Sequence, residues 1–523
     1  MSTHSASTGA HRPFLPGKHR AGWAALALAL LLLTAVQVLP SGAADTGQIR
    51  AGVARVDVTD TTAGPANDPL WVKALVLKDD RTTAVIITVD AVAIENIGPI
   101  KNGYLATVRA ALKKELGIEP SSVVVNASHC HGIVCADVAP RTVQAVREAL
   151  QALVPVQVGA GVGHEDRIQE NRRLRLKDGR EADVRHAYSL PPDSDVTGAG
   201  PVDPEIGILR LDRKDGRPLA VVYNFACHPI MGVPSGGNTA DFVGFASRAI
   251  EDGMGEGCMA LFLQGCGGDI NPVLYKDVAH PRDAEPLGNL LGLSTMRAAK
   301  KIKTQERAPL RLVNETIQLP RAEYALRIQA LEAEQARLVK SLTGTSLNLK
   351  TFLQLVVSHG LSADFPSYYS HQYLRDKELG RSPFKRLDEE NRRNVEAYLQ
   401  NVYTMEEITK VQTNLSLLRM HQAQSAAAGN KPLDAELVGL RVGEFVLTTF
   451  PGELTAQIGL NLKKSSPHPL TFVAGYSNGY LYYSSTSEQL WNKGCAQEDC
   501  DVLLAPEWQP IYERKAAAIL KAL

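Results

Sequence analysis

The stretch "SSVVVNASHCHG", residues 121–132, sets three valines against a polar tail that carries two histidines around a cysteine. The valines form a continuous β-branched run, the pattern of a strand covered on both faces rather than one with a wet side. Three more stretches read the same way: "AVIITVDAVAI" (84–94), "LAVVYNFAC" (219–227) and "MALFLQGC" (259–266). Between them, "IKNGYLATVRAALKKELG" (100–117) and "PRTVQAVREALQAL" (140–153) have helical spacing, with Val143, Val146, Leu150 and Leu153 on one face. This alternation specifies an α/β fold with a mixed, mostly buried β-sheet core flanked by helices.

Residues 321 to about 425 break the alternation. Tyr324, Ile328, Leu331 and Leu338, and later Ile408, Val411, Leu415 and Leu418, recur at helical intervals and bracket the aromatic segment "ADFPSYYSHQYL" (363–374). The pattern predicts a helical insertion, either a lid or a cover for the sheet. The α/β plan resumes with "GEFVLTTFPGELT" (443–455) and "PLTFVAGYSNGYLYYSS" (469–485) and ends in a helix, "WQPIYERKAAAILKAL" (508–523). No internal repeat and no low-complexity linker is visible, so the insertion interrupts one domain spanning 45–523.

Composition narrows the function. Of 523 residues, 44% are apolar and 21% charged, which is globular composition and excludes long disorder. The 56 basic residues balance 56 acidic ones, so the chain carries no electrostatic footprint for nucleic acid. Residues 1–44 read as a signal peptide: Arg12, Lys18 and Arg20 precede "WAALALALLLLTAVQVL" (23–39), and "PSGAAD" offers small residues for cleavage near Ala43 or Ala44. The body is therefore expected outside the cytoplasm, periplasmic or extracellular, with an uncleaved membrane anchor as the alternative. Seven cysteines cannot all pair within one chain. Cys495 and Cys500, flanking "CAQEDC", are the best disulfide candidates, whereas Cys130, Cys135, Cys227, Cys258 and Cys266 sit in or beside apolar runs and read as buried thiols.

Several predicted strands run straight into small polar clusters. "VVVNASHCH" ends in His129 and His131, "VVYNFACHP" in His228, "FLQGCGGDINP" in Asp269 and Asn271, "VLTTFPGE" in Glu453, and "FVAGYSNGY" in Asn478 and Tyr480. Ligands of open α/β sheets bind outside the carboxyl ends of strands, so these clusters are expected to meet. In an extended strand His129 and His131 would face one crevice, about 7 Å apart at the backbone. Imidazole suits zinc, and a catalytic zinc takes three or four protein ligands plus a water. His228 would add a nitrogen and Glu453 a carboxylate. A His-x-His pair by itself does not define a metal site; buried space-filling histidines, a Glu453 that favours a helix N-terminus, a gap-filling Tyr480, and Asp241 and Asp269 as cap residues are the plain alternatives.

Taken in order, "RAGVARVDVTD" (50–60), "DPLWVKALVLKDD" (68–80), "ASHCHG" (127–132), "ENRRLRLKDGR" (170–180), "NFACHP" (224–229), "TADFVG" (239–244), "FLQGCGGDINP" (262–272), "FPGELT" (450–455) and "AGYSNGYLYYSS" (474–485) resemble the neutral/alkaline, non-lysosomal ceramidase family, in particular its catalytic N-terminal domain. The resemblance covers nearly all of the chain after residue 44 outside the insertion. It implies a zinc-dependent amidase that splits the N-acyl bond of ceramide into sphingosine and fatty acid. By motif it implies His129, His228, Glu453 and Tyr480 as zinc ligands, His131 beside the metal in contact with water or substrate oxygen, and Arg172 as the arginine that holds substrate and stabilises the oxyanion. It also implies a small-molecule or lipid N-acyl substrate and, for a lipid, peripheral contact with a membrane.

The chain departs from the family pattern where the substrate is handled. The family's "GD-x-S-P" loop is "GDINP" here, with Asn271 in the serine's place, and an amide is not a nucleophile. "GIVC" replaces the Ser and Gly that follow the histidine pair, and Tyr480 competes with Tyr482 and Tyr483 for the metal position. Two alternatives to ceramide hydrolysis follow: hydrolysis of another small amide, ester or carbohydrate derivative, and a non-catalytic exported binding protein on the same fold.

Overall fold

The computed structural model describes residues 47–184, 191–359, 375, 378–381, 385–492, 494 and 496–523. Residues 1–44, read above as a signal peptide, the aromatic segment 363–374 and Cys495, with its expected pairing to Cys500, lie outside the described residues.

Three strands, β1 (Arg50–Asp57), β2 (Trp71–Lys78) and β3 (Thr83–Val89), form an antiparallel meander. Helix α1 (Tyr104–Leu116) then crosses over to β4 (Val123–Ala127), which lies parallel to β3 and leads into α2 (Val138–Gln151). Gly117 stops α1 with φ 66°, a left-handed cap whose N–H reaches the carbonyls of Leu112 and Lys113.

The same order of elements follows twice more. The second unit runs through β5 (Val154–His164), the short β6 (Gln169–Asn171), β7 (Glu205–Arg213), β8 (Pro218–Phe225), α3 (Asp241–Met254), β9 (Met259–Gln264), the short β10 (Ile270–Pro272) and α4 (Glu285–Ala299). Here β5, β7 and β8 form the meander and β9 runs parallel to β8. The third unit starts with β11 (Leu310–Leu319) and the inserted helices α5 (Ala325–Ser341), α6 (Leu349–His359) and α7 (Lys385–Ala427). It continues with β12 (Leu433–Val442), β13 (Phe445–Thr449), β14 (Glu453–Leu454), α8 (Ala456–Ser465), β15 (Thr471–Ala474), β16 (Tyr483–Ser484) and α9 (Trp508–Ala522), and β15 runs parallel to β13. The repetition is topological and leaves no trace in the sequence.

The first two units share one eight-stranded sheet in the order β9-β8-β7-β5-β1-β2-β3-β4; the third forms a four-stranded sheet, β11-β12-β13-β15. One apolar cluster joins the two sheets, with Leu75, Leu77, Leu209, Leu211 and Val222 of the first against Leu440, Val442, Leu447 and Phe472 of the second. The opposite face of the large sheet packs on helices, for example Val72, Ala74 and Val76 in one cluster with Val108, Leu112, Val143 and Val146. The expected mixed, doubly covered α/β core is therefore present, and the sequence reading missed only that the cover on one side is a second sheet.

Within each unit the first, third and fourth strands run the same way, so the connection from first to second strand leaves from the end where the third and fourth strands finish. That connection is residues 58–70 in the first unit, 165–204 in the second and 320–432 in the third. The predicted helical insertion thus occupies a position that the second unit fills with the ribbon around β6.

Candidate metal centre

One buried asparagine ties the three units together. Asn126, in β4, accepts from the N–H of Gln264 at the end of β9 (2.9 Å) and donates to the carbonyl of Gly475 after β15 (2.7 Å) and to Ser477 Oγ (3.0 Å). Two backbone groups, the Gln264 N–H and the Gly475 carbonyl, at the ends of strands from the second and third units, are thus bonded by one side chain of the first. The polar clusters that follow those strands are brought together as a result.

His129 does not lie in an extended strand. β4 ends at Ala127, and His129 has φ 68° with its N–H bonded to the carbonyl of Ala91 at 2.9 Å. The same-face expectation for His129 and His131 therefore fails: the left-handed turn sends His129 inward, where it is 3% exposed, and leaves His131 at the surface. Their rings still meet edge to face, with centroids 6.0 Å apart. Such a conformation is strained for a residue with a Cβ, and it is found here at the site itself.

His129, His228 and Glu453 place three ligand-type atoms within 4.8 Å of one another, all buried. Glu453 Oε2 is 3.1 Å from His228 Nε2 and 3.5 Å from His129 Nε2. The other nitrogen of each ring is engaged by a carbonyl, Nδ1 of His129 by Val92 O at 2.6 Å and Nδ1 of His228 by Ile270 O at 3.0 Å. A carbonyl can only accept, so each Nδ1 carries a proton, and a neutral ring then presents Nε2 as a lone pair. Burial lowers the His129 pKa to about 4 against the pull of Glu453, so that ring is neutral at pH 7. Burial pushes the Glu453 carboxyl up, but His129, His228 and the Tyr480 hydroxyl outweigh it and hold the group well below the usual carboxylate range. His129 Nε2 and the Glu453 carboxylate thus present lone pairs to one point, and His228 Nε2, 3.1 Å from Oε2, adds a third when its ring is neutral or donates to Glu453 when protonated; the neutral set is the one a cation would draw together.

Tyr480 donates a short hydrogen bond to Glu453 Oε1, and Tyr476 donates to Oε2 at 3.3 Å while its ring lies 4.3 Å from that of His129. Burial, reinforced by the Glu453 charge, raises both phenols well above their ordinary pKa. The structure thus separates the three tyrosines that the sequence left in competition: Tyr480 touches Glu453, Tyr482 packs on His421, and Tyr483 lies over His228 with centroids 6.4 Å apart.

Arg172 and Asn271 come together behind Tyr483. The Arg172 guanidinium, 1% exposed, donates to Asn271 Oδ1 (2.9 Å), Gly268 O (2.7 Å) and Tyr483 Oη (3.1 Å), and makes a short contact from Nε to Glu498. Arg173 beside it pairs with Glu498 (2.9 Å), Asp499 and Glu181 (3.0 Å). Within "CAQEDC", Glu498 and Asp499 thus supply two buried counter-ions. Residues Glu498 and Asp499, like Tyr476 and Asn126, carried no sequence signal that marked them; the one available hint was acidic residues near the end of the chain with two adjacent arginines far upstream to match them.

The glycines of "GCGGD" have a plain cause. A Cβ at Gly268 would lie 2.6 Å from the carbonyl oxygen of Glu453, so only glycine lets this loop back onto β14. Asp241 accepts from the N–H groups of Gly232 and Phe242, and Asp269 from Ala456 at the start of α8 (2.8 Å), so both serve as turn and cap residues. Cys130, Cys227, Cys258 and Cys266 are buried free thiols as expected, and Cys135 is a half-buried one. A cavity of about 480 Å³ opens beside His131, lined among others by Ala63, Ile133, Pro229, Met231 and Arg282.

These features define a mixed α/β protein with a buried His-His-Glu centre of metal-ligand type at the junction of three strand ends. The fold is neutral ceramidase-like. It superposes on the crystal structure of neutral ceramidase from Pseudomonas aeruginosa with a TM-score of 0.56 and 16% identity, over 92% of this chain and 75% of that one. A ceramidase complexed with C2 gives a TM-score of 0.56 and 17% identity, over 91% of this chain and 76% of that one. No family model matches the sequence, and no curated protein matches it significantly. No helix among the described residues is long and apolar enough to cross a membrane.

Proposed function

We propose that this chain is an exported zinc-dependent hydrolase of ceramidase type that cleaves an N-acyl amide bond. The observation that carries the reading is the convergence of ligand-type atoms of His129, His228 and Glu453 within 4.8 Å of one another, each imidazole engaged from behind at Nδ1 by a carbonyl. Nitrogen and carboxylate donors in this number suit zinc, and His129, His228 and Glu453 would hold it, with Tyr480 the fourth candidate across Glu453. When bound, zinc supplies a Lewis acid that polarises a carbonyl and acidifies water.

The chain's own groups account for the rest of the chemistry. His131, at the edge of the cavity, would take a proton from water at a ring nitrogen and return it to the departing amine. Arg172, with its charge fixed by Glu498, orients Tyr483 and Asn271 toward the side of the centre where negative charge develops on the carbonyl oxygen. Asn271 cannot attack, so water is the nucleophile. Ceramide is the first substrate to test, given what the solved relatives are called.

The test is elemental analysis of the purified protein beside His228→Ala, followed by hydrolysis of N-acyl substrates before and after chelation. One zinc per chain, lost in the variant, with chelator-sensitive release of fatty acid is the expected result. A wild-type protein that binds no divalent metal on reconstitution overturns the reading, and stoichiometric zinc without turnover of any amide leaves a binding protein.

A further inference from the structure

The cavity beside His131 carries a charge that its own wall does not balance. Two of its lining residues border the candidate centre: the His131 ring lies 6.0 Å from that of His129, and Pro229 directly follows His228. At about 480 Å³ the cavity has the size of a small-molecule site. Asn238 fastens three of the segments around it. Its side chain accepts from the Ile133 N–H (2.8 Å) and donates to the Ile133 carbonyl (2.9 Å), and its own N–H donates to the Pro65 carbonyl (2.9 Å). A fourth segment is tied in where the Ala284 N–H donates to the Gly232 carbonyl (2.8 Å). Walls fixed in this way spare a ligand the cost of ordering them.

Among the described lining residues Arg282 is the one permanent cation and Asp241 the one carboxylate. Asp241 is buried, and its oxygens accept from the N–H groups of Gly232 and Phe242. The Arg282 guanidinium is held over the Tyr275 ring, 4.3 Å from its centroid, and forms no hydrogen bond or ion pair among the described residues. The carboxylates nearest to it in sequence are engaged elsewhere: Asp283 accepts from the Glu285 N–H (3.1 Å), and Asp277 pairs with His280 Nδ1 (2.7 Å). An arginine seated on an aromatic face is steadied there and keeps its N–H donors for an acceptor. Two of those donors side by side match a carboxylate. Exposure alone would make Arg282 an ordinary surface charge; the ring beneath it and the cavity it shares with His131 set it apart.

We infer that this cavity is the subsite for an N-acyl substrate that carries a carboxylate, with Arg282 as the specificity-determining residue and Tyr275 as its platform. The inference rests on the hydrolase reading for the position of the scissile bond, which would lie at the His131 side of the cavity. The carboxylate belongs to the amine half in an N-acyl amino acid and to the acyl half in the monoamide of a dicarboxylic acid; both present the same group to Arg282.

The test measures dissociation constants by equilibrium dialysis on the zinc-loaded protein, with hydrolysis of each ligand followed in parallel. N-octanoylglycine is compared with N-octanoylglycinamide, and the mono-octylamide of glutaric acid with that of glutaramide, so each acid faces its neutral isostere. In at least one pair the acid is expected to bind at least about fivefold more tightly, and the pair that shows it identifies the half that carries the carboxylate. In Arg282→Gln the ratio falls towards one, Arg282→Lys restores part of it, and Tyr275→Leu weakens it with the charge still present. Equal binding of acid and isostere in both pairs overturns the subsite. A preference that survives Arg282→Gln belongs to the metal or to another cation and overturns it too. An Arg282-dependent preference without hydrolysis of any ligand removes the hydrolase reading and leaves the subsite standing.

Discussion

The second and third units use the same connection, from first to second strand, for different ends. In the second unit the ribbon 165–204 brings Arg172 to Tyr483, which lies over His228 of the candidate centre, and pairs with β10, which carries Asn271. In the third unit the helical insertion brings no described side chain to the His129, His228 and Glu453 cluster. It grips the segment behind that cluster instead: the Tyr324 hydroxyl bonds to Val502 O (2.7 Å), Arg327 to Asp499 O (2.9 Å), His421 Nε2 to Asp501 (2.8 Å) and Gln424 to the Tyr482 hydroxyl (3.1 Å). That segment holds Tyr483 and the carboxylates that neutralise Arg172 and Arg173. On the proposed reading one connection therefore supplies chemistry and the other supports it, although topology treats them alike.

Arg172→Ala is the strongest way to break the comparison. Removing one member of a buried ion pair leaves Glu498 with Arg173 alone and is expected to lower the unfolding free energy in urea by about 3–5 kcal/mol. Metal content should persist, because no cluster ligand bonds to Arg172, while hydrolysis by the folded fraction should fall to background. Retained hydrolysis would reduce the ribbon to a structural strut like the insertion.

The first unit sharpens the contrast, since its third strand ends in Asp90 where those of the other two lead to His228 and Glu453. Asp90 accepts from the Trp71 N–H at 2.9 Å, and burial, opposed by Lys73, raises its pKa to about 6. A carboxyl with a folded pKa above its unfolded one favours the folded state when protonated, and that stability is lost as pH rises from about 4 through 6. Asp90→Asn keeps the acceptor and removes the ionisation. Its stability relative to wild type should therefore climb over that window by up to about 3 kcal/mol and stay level above it. A flat difference between pH 4 and pH 7 would show that Asp90 is already ionised at low pH and has a partner worth seeking.

The contrast also explains what the sequence could show. Strand interiors such as "VVVNA" and the helices of the insertion were legible because burial on both faces and helical periodicity each leave a pattern in consecutive residues. The cluster members His129, His228 and Glu453 were legible because each directly follows such a strand. What was hidden depended on partners far apart in the chain: Glu498 matters through Arg172, 326 positions away, and Asn126 through Gln264 and Gly475. The left-handed turn at His129 was hidden for another reason, since a histidine with positive φ is imposed by the Ala91 and Val92 carbonyls that its own sequence does not contain.

The smallest effect is expected in the insertion. His421, fully buried, bonds to Asp501 and stacks edge-on against Tyr482, so His421→Gln removes a buried hydrogen bond to a charged group but leaves a polar side chain of similar reach. The loss in urea should be about 1–3 kcal/mol, with zinc content and hydrolysis per folded molecule unchanged. If the insertion were a lid instead, loosening its root would alter KM or kcat at constant zinc content, with little correlation to stability. The two outcomes separate because a support acts through the population of folded protein, whereas a lid acts on each turnover of the molecules that are folded.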